Sequence, residues 1–452
     1  MNLLTIALKS LRQRWLASFL TGLSVALGVA LIVTVMVLNG VVSRQFSQTG
    51  TGYDLVVGPK GSDTQLVLSS IYYMDRPIEN LPWRFFKELS EHKTVERAIP
   101  VNLGDTTEVG NFPIVGTTPQ YFLVDYVPEK KFLIKGDGLQ GTWDAVIGSQ
   151  VAKKNAWDIG SKFKMIHAGQ DDHVHDEEFT VKGVLAPTGT PNDKAVFVHI
   201  DGFFQLAGHE KPVKEAIERE AKFYGETEDQ IRQRYAADLA EIAKHEGHDH
   251  SHGHHHAHGP MSNLQKEVTS ILLVMKGGDD SLRRSSAALA MQSNLKKGFQ
   301  AQAVNVVGVM ARLLTNLVGN IRDAFLVLTG LIVAVSGIGI FVSIYNSMAD
   351  RKKEIAVMRA LGARRQTVFS IIMLESLLLC VLGGLVGMLL GHAMVFIAAP
   401  IIQERSGLLI DPFHFDLYEL IVIPALIGMA MLVGMLPGLT AYRTDVAEAL
   451  QS

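Results

Sequence analysis

Four long apolar runs constrain this chain more than any other feature. Residues 16–38, 324–346 and 420–442 carry no charge, and residues 367–399 carry a single acid, Glu375. A helix crosses the hydrocarbon of a bilayer with about 20 apolar residues, and all four runs reach that length. The expected fold class is a polytopic α-helical membrane protein with four transmembrane helices. Residues 43–322, between the first and second runs, read as a large α+β domain outside the membrane.

Charge fixes the expected orientation. Lys9, Arg12 and Arg14 precede the first run, and residues 347–366 carry Arg351, Lys352, Lys353, Arg359, Arg364 and Arg365 against Asp350 and Glu354. Loops rich in Lys and Arg stay in the cytoplasm. Residues 1–15, 347–366 and 443–452 are therefore expected inside, and 43–322 and 400–418 outside, with spans at 16–42, 323–346, 367–399 and 419–442. The first run is too long for a cleaved signal and lacks a small-x-small site, so it reads as an uncleaved anchor. The net charge is −3, with no chain-wide basic excess to suggest nucleic-acid binding. The single cysteine, Cys380, lies in the third span, so the outer domain must fold on its apolar core alone.

Within the outer region, residues 53–58, 145–148, 179–185, 195–198 and 270–275 have the composition of strands. Residues 82–89 and 280–297 have that of helices. Residues 211–244 are helical in period, dense in charge and broken at Gly225, which predicts a helical pair.

The loop between the second and third spans has helical period. Ile355, Met358 and Leu361, with Ala356 and Val357, form an apolar stripe on it, and its charges surround the rest. Its sequence from Glu354 to Ala363, EIAVMRALGA, resembles the signature after the second span of the FtsX/MacB/LolC permease family, the membrane subunits of mechanotransmitting ABC transporters. Leu374-Glu375-Ser376, Pro437-Gly438, Ala441, Ala447-Glu448-Ala449-Leu450 and Ala7-Leu8-Lys9-Ser10-Leu11-Arg12 are similar to further parts of that family. The resemblance covers both ends well and the middle loosely. It implies a coupling segment that meets an ABC-type ATPase, with Arg351, Lys352, Glu354, Met358, Arg359 and Leu361 in contact and Gly362 as helix stop. It implies a second permease copy, in a homodimer, and leaves room for a periplasmic adaptor or substrate protein. It places the chain in the bacterial inner membrane with its large domain in the periplasm. By position, residues 43–110 and 268–320 would form a membrane-proximal lobe, and residues 111–267 a second lobe.

Histidine is concentrated at 245–258, where His245, His248, His250, His252, His254, His255, His256 and His258 occupy eight of fourteen positions. Imidazole is a preferred ligand of zinc, nickel and copper. The spacing is dense but irregular, unlike the paired ligands of a structural zinc site. It is read as a passive metal-absorbing loop, a zinc-capture or zinc-sensing loop, or a pH-responsive loop. His167, His173 and His175, beside Asp171, Asp172 and Asp176, add a second patch, read either as ligands or as a solvated acidic hairpin tip. Zinc at the His-rich loop is the one cofactor suggested for this chain.

No phosphate-binding loop is present. Residues 136–142 have the glycine spacing but lack the lysine. The chain is expected to be non-catalytic, with ATP and Mg²⁺ on the partner. Gly22, Ala26 and Ala30 in the first span, and Gly383, Gly387 and Gly391 in the third, recur every fourth position and form small-residue seams. The first is expected at a dimer interface. Glu375 is expected to be structural and His392 to be packed. The expected function is conversion of ATP-driven ATPase closure into movement of the outer domain, linked to zinc homeostasis. The alternatives are an FtsX-like regulator of a periplasmic partner and LolC/LolE-like lipoprotein or lipid extraction.

Overall fold

The computed structural model describes residues 3–48, 52–74, 76–127, 129–167, 174–206, 209, 211–246, 261–278, 280–298, 300–313, 315–316, 319–350, 352–406 and 417–443. Arg351, His173 and residues 247–258 of the His-rich tract lie outside them. The chain divides into two units, residues 1–44 with 314–452, and residues 45–313.

Among the described residues of the first unit, four helices are long and apolar enough to cross a membrane: Trp15–Gly40, Asp323–Asn346, Arg365–Ile402 and Glu419–Thr440. Glycine lets two of them approach closely. A Cβ added to Gly387 would stand 2.5 Å from the Ala26 carbonyl oxygen. One on Gly383 would stand 2.8 Å from that of Gly22, and one on Gly391 3.0 Å from that of Ala30. The two small-residue seams therefore face each other within one chain. This corrects the expectation that the first-span seam lies between subunits, because the third span of the same chain fills it. Around the seam, Val25, Val29, Val33, Ile340, Ile372 and Cys380 form a buried apolar cluster. His392 is more than packed: its Nε2 lies 3.0 Å from Oε2 of the buried Glu419, at the start of the fourth span. Glu375 is also buried.

The second unit holds two main sheets. The four-stranded sheet runs Ala301–Val304, Leu55–Pro59, Ser270–Met275, Val95–Val101 in order. Leu55–Pro59 is antiparallel to both neighbours, with Val56 opposite Val304, Pro59 opposite Ala301 and Leu55 opposite Leu273. The other sheet has Ile114–Thr117, Val196–His199, Asp144–Ile147, Phe179–Leu185 and Ile134–Gly136 in order, with Lys162–Phe163 also pairing to Phe179–Leu185. The β-branched runs that suit strands are buried on both faces here. Residues from both sheets mix in both large apolar clusters, so the two sheets share their core. The helix Ser281–Lys297 begins at Asp280, whose carboxylate accepts from the amides of Leu282 and Arg283 at 3.1 Å each.

Residues 211–246 fold as three helices rather than a pair: Val213–Tyr224, Glu228–Arg234 and Ala236–Glu246. Gly225, at φ 65°, caps the first, and Thr227 with Gln230 forms a capping box on the second. A second break falls at Tyr235. Arg84 ties this group to the helix Trp83–Ser90. Its guanidinium lies 3.3 Å from Glu226, 3.4 Å from the buried Glu220 and 3.8 Å from the centre of the Tyr224 ring. Burial raises the Glu220 pKa, and hydrogen bonds from Tyr235 and Arg84 offset part of that rise.

Two outcomes follow from this packing. Replacing Gly387 by Leu should destabilise the membrane unit by about 1–3 kcal/mol through overpacking, whereas Gly428→Leu, where a Cβ meets nothing within 4 Å, should be nearly neutral. Thermal unfolding in detergent checks the pair. Arg84→Met should cost on the order of 3 kcal/mol near neutral pH, by leaving Glu220 buried without its cation. That cost should shrink as pH falls and Glu220 takes up a proton, which urea unfolding at several pH values would show.

Candidate functional site

Two constellations stand out, one in each unit. In the first unit, the helix Lys352–Ala360 joins the second and third spans. It ends in a Schellman cap: the Ala363 amide donates to the Met358 carbonyl at 3.0 Å and the Gly362 amide to that of Arg359 at 3.1 Å. Gly362 sits at φ 99°, a conformation that disfavours any side chain. Ile355 and Ala356 are buried, and Met358 packs on the apolar cluster of the spans. Leu361 does not continue that stripe. It is 83% exposed, as Val357 is half exposed, because the cap turns the chain away after Ala360. The helix thus anchors one face and presents two apolar side chains on another. Arg359 makes contacts of its own. Lys352 and Glu354 lie in its first turn.

In the second unit, Asp105, His167, His175 and His209 converge. The strand Asp105–Thr107 pairs antiparallel with Met165–His167, which sets Asp105 directly opposite His167. Directly opposed residues share a face of the ladder, and His167 Nδ1 lies 2.9 Å from Asp105 Oδ1. The chain then returns beside the same strand. Ile166 bridges Val174, and the His175 amide donates to the Met165 carbonyl at 3.0 Å. His209 arrives from elsewhere, just past the helix Ile200–Gln205, with its ring 4.4 Å from that of Phe203. Its Nε2 lies 3.1 Å from Asp105 Oδ2. Burial alone would raise the Asp105 pKa, but the His167 and His209 rings overcome that and hold it at about 2.

The patch at 167–178 is therefore divided. His175 is 1% exposed and points into the cluster, whereas the Asp176 side chain is 98% exposed. The solvated-tip reading holds for the acid and fails for the histidine. Sequence reasoning found His167 and His175 but missed Asp105 and His209, which no local spacing connects to them. His245 falls in the last turn of Ala236–Glu246.

Two family models match this chain: the MacB-like periplasmic core domain over residues 18–240 and the FtsX-like permease C-terminal over residues 326–446. A macrolide export ATP-binding/permease protein MacB of Hyphomonas neptunium is 29% identical over 192 residues, which is 42% of this chain and 28% of that protein. The protein of the same name in Rhodopirellula baltica is 26% identical over 151 residues, 33% of this chain and 21% of its own length. The chain thus spans less than a third of the length of these curated relatives. Among solved structures, the periplasmic region of MacB from Actinobacillus actinomycetemcomitans aligns over 59% of this chain and 94% of its own, at 12% identity and a TM-score of 0.33. The extracellular domain of the ABC-type transporter YknZ from Gram-positive bacteria aligns over 56% and 99%, at 12% identity and a TM-score of 0.27. One family model reaches from the first span into the second unit and the other runs along the last three spans, and the chain belongs to the FtsX/MacB-like family of ABC-transporter permeases.

Proposed function

We propose that this chain is a non-catalytic, force-transmitting permease subunit that works with a separate ABC-type ATPase. The observation that carries this reading is the helix Lys352–Ala360, seated by Ile355 and Ala356 on the spans and stopped by Gly362, with Val357 and Leu361 left outward. An element fixed on one side and exposed on the other suits the transfer of movement from a soluble partner to the second and third spans. In this reading ATP and Mg²⁺ bind the partner, and Arg351, Lys352, Glu354 and Arg359 are the charged residues that contact it. The large unit lies in the periplasm and the spans in the inner membrane. A second permease copy packs through faces of the first span other than its glycine seam, where Phe19, Leu20 and Leu27 are exposed. A periplasmic adaptor or substrate protein would engage the outer unit.

Lipid extraction is less well supported. A wide groove of the second unit sets Lys60, Glu79, Lys211, Glu218, Arg219 and Glu267 beside Leu81 and Phe223, and the charged groups among them would have to be desolvated by an acyl chain. The eight histidines of residues 245–258 link the transporter to zinc homeostasis. A variant lacking that tract should lose its dependence on zinc supply. Equal activity of variant and parent under both zinc limitation and zinc excess would remove the link.

Coupling is tested by Lys352→Glu combined with Leu361→Asp in the full chain, reconstituted with its ATPase. Permease-stimulated ATP hydrolysis should fall at least about tenfold, the equivalent of about 1.4 kcal/mol of contact, with membrane insertion unchanged. Full stimulation by the double variant would contradict the coupling role.

A further inference from the structure

None of the four residues of the cluster in the second unit belongs to the His-rich tract. Asp105, His167, His175 and His209 each offer one ligand atom, and these atoms all lie within 4.8 Å of one another. We propose that the four residues form a closed zinc site with three nitrogen ligands and one oxygen ligand. This deepens the zinc reading above while resting on its own geometry.

The dimensions suit the ion. Tetrahedral zinc with bonds of about 2.0–2.1 Å places its ligand atoms about 3.3 Å apart. His167 Nδ1 and His209 Nε2 already lie 2.9 Å and 3.1 Å from the oxygens of Asp105. The widest separation allowed, 4.8 Å, would have to close by about 1.5 Å to reach the tetrahedral edge. The His175 ring crosses both others, at 78° to His167 and 88° to His209 with centroids 4.6 Å and 5.1 Å away, while His167 and His209 are tilted at 33° to each other. Crossed rings can aim nitrogen edges at one centre from different directions, as a tetrahedral ion requires.

The chemistry of the donor set selects the metal. Imidazole suits zinc, copper and nickel, whereas calcium and magnesium take oxygen ligands. Four protein ligands leave no open position, so the site is of the structural or regulatory type rather than the hydrolytic one. Asp105 and His175 are buried, and His209 Nδ1 is buried with no hydrogen-bond partner among the described residues. The His167 side chain is 36% exposed and gives the ion a way in.

The ligands come from three stretches of chain. Asp105 follows the strand Val95–Val101 of the four-stranded sheet. His167 ends the strand Met165–His167, His175 lies beside the same strand, and His209 stands four residues before the helix Val213–Tyr224. A bound ion would therefore staple the base of the three-helix group to the strand that carries Asp105. Occupancy would then set how firmly that group is held to the rest of the outer unit.

The test uses the full-length chain in detergent with residues 247–258 deleted, so that the tract cannot mask a single site. Zinc titration should show one tight, sub-micromolar equivalent per chain. His175→Ala and His209→Ala should each weaken it by more than about 100-fold, since even outer-shell partners of metal ligands are worth about 10–100-fold. Cobalt(II) loading of the same deletion variant, with all four ligands in place, should give the intense visible bands of a tetrahedral ion. Absence of a stoichiometric tight site, unchanged affinity in His209→Ala, or the pale spectrum of octahedral cobalt would each overturn the proposal. The binding readout is independent of transport, so its failure is distinguishable from failure of the tract deletion to alter zinc dependence.

Discussion

In hydrocarbon one apolar helix gains little from another by excluding solvent, because the lipid tails are as apolar as its own side chains. What holds spans together there is closeness of approach. The seam of Gly383, Gly387 and Gly391 against Gly22, Ala26 and Ala30 provides it, with Cβ positions that would fall within 3.0 Å of the opposing carbonyl oxygens. Thr34 Oγ1 adds a polar contact at the same seam: it donates to the Ala30 carbonyl of its own helix at 2.7 Å and lies 3.4 Å from the Gly391 carbonyl across the seam. The first span is thereby fixed to the third, although more than three hundred residues separate them in sequence. Once they are joined, the remaining spans and the short capped helix between the second and third have a firm base to pack on.

The outer unit answers to a different physics. It lacks disulfides and builds its stability from β-branched strands in two sheets that share one interior. Polar groups are placed at its edges with partners: Arg84 beside Glu220, and Asp105 among three histidines. These two sites treat buried charge differently. Around Arg84 a cation meets the carboxylates of Glu88, Glu220 and Glu226. Around Asp105 four atoms with lone pairs gather within 4.8 Å of one another, an arrangement that could hold a metal ion.

Much of this was legible in the sequence, for reasons tied to period and length. The four apolar runs became helices within a few residues of their expected ends, because uncharged runs of that length have no other stable form in a membrane protein. The strands at 145–148, 179–185 and 270–275 appear as Asp144–Ile147, Phe179–Leu185 and Ser270–Met275. The misses share a cause: they depend on what lies opposite. Asp105 follows Gly104 and reads as an ordinary turn residue, and His209 stands alone after a short helix. Only the pairing of Asp105–Thr107 with Met165–His167 and the packing of His209 on Phe203 bring them to the other two histidines. Likewise, the apolar stripe through Ile355 and Met358 extends on paper to Leu361, but the helix stops one residue short of it. Nor could spacing say whether a glycine seam meets its own chain or another copy.

The register of the four-stranded sheet has a mechanical consequence. The strand Leu55–Pro59 follows the first span, and its neighbour Ala301–Val304 precedes the second. Because they run antiparallel, with Val56 opposite Val304, the chain comes into the sheet and leaves it at the same end of one ladder. A pull that drew these two connections apart would load the rungs in turn and unzip them from Val56 and Val304 onward, the weak direction of a β-ribbon. A pull that moved both together would load no rung and would carry the sheet as a whole. That ladder would thus resist motions the two connections share and yield to motions that separate them.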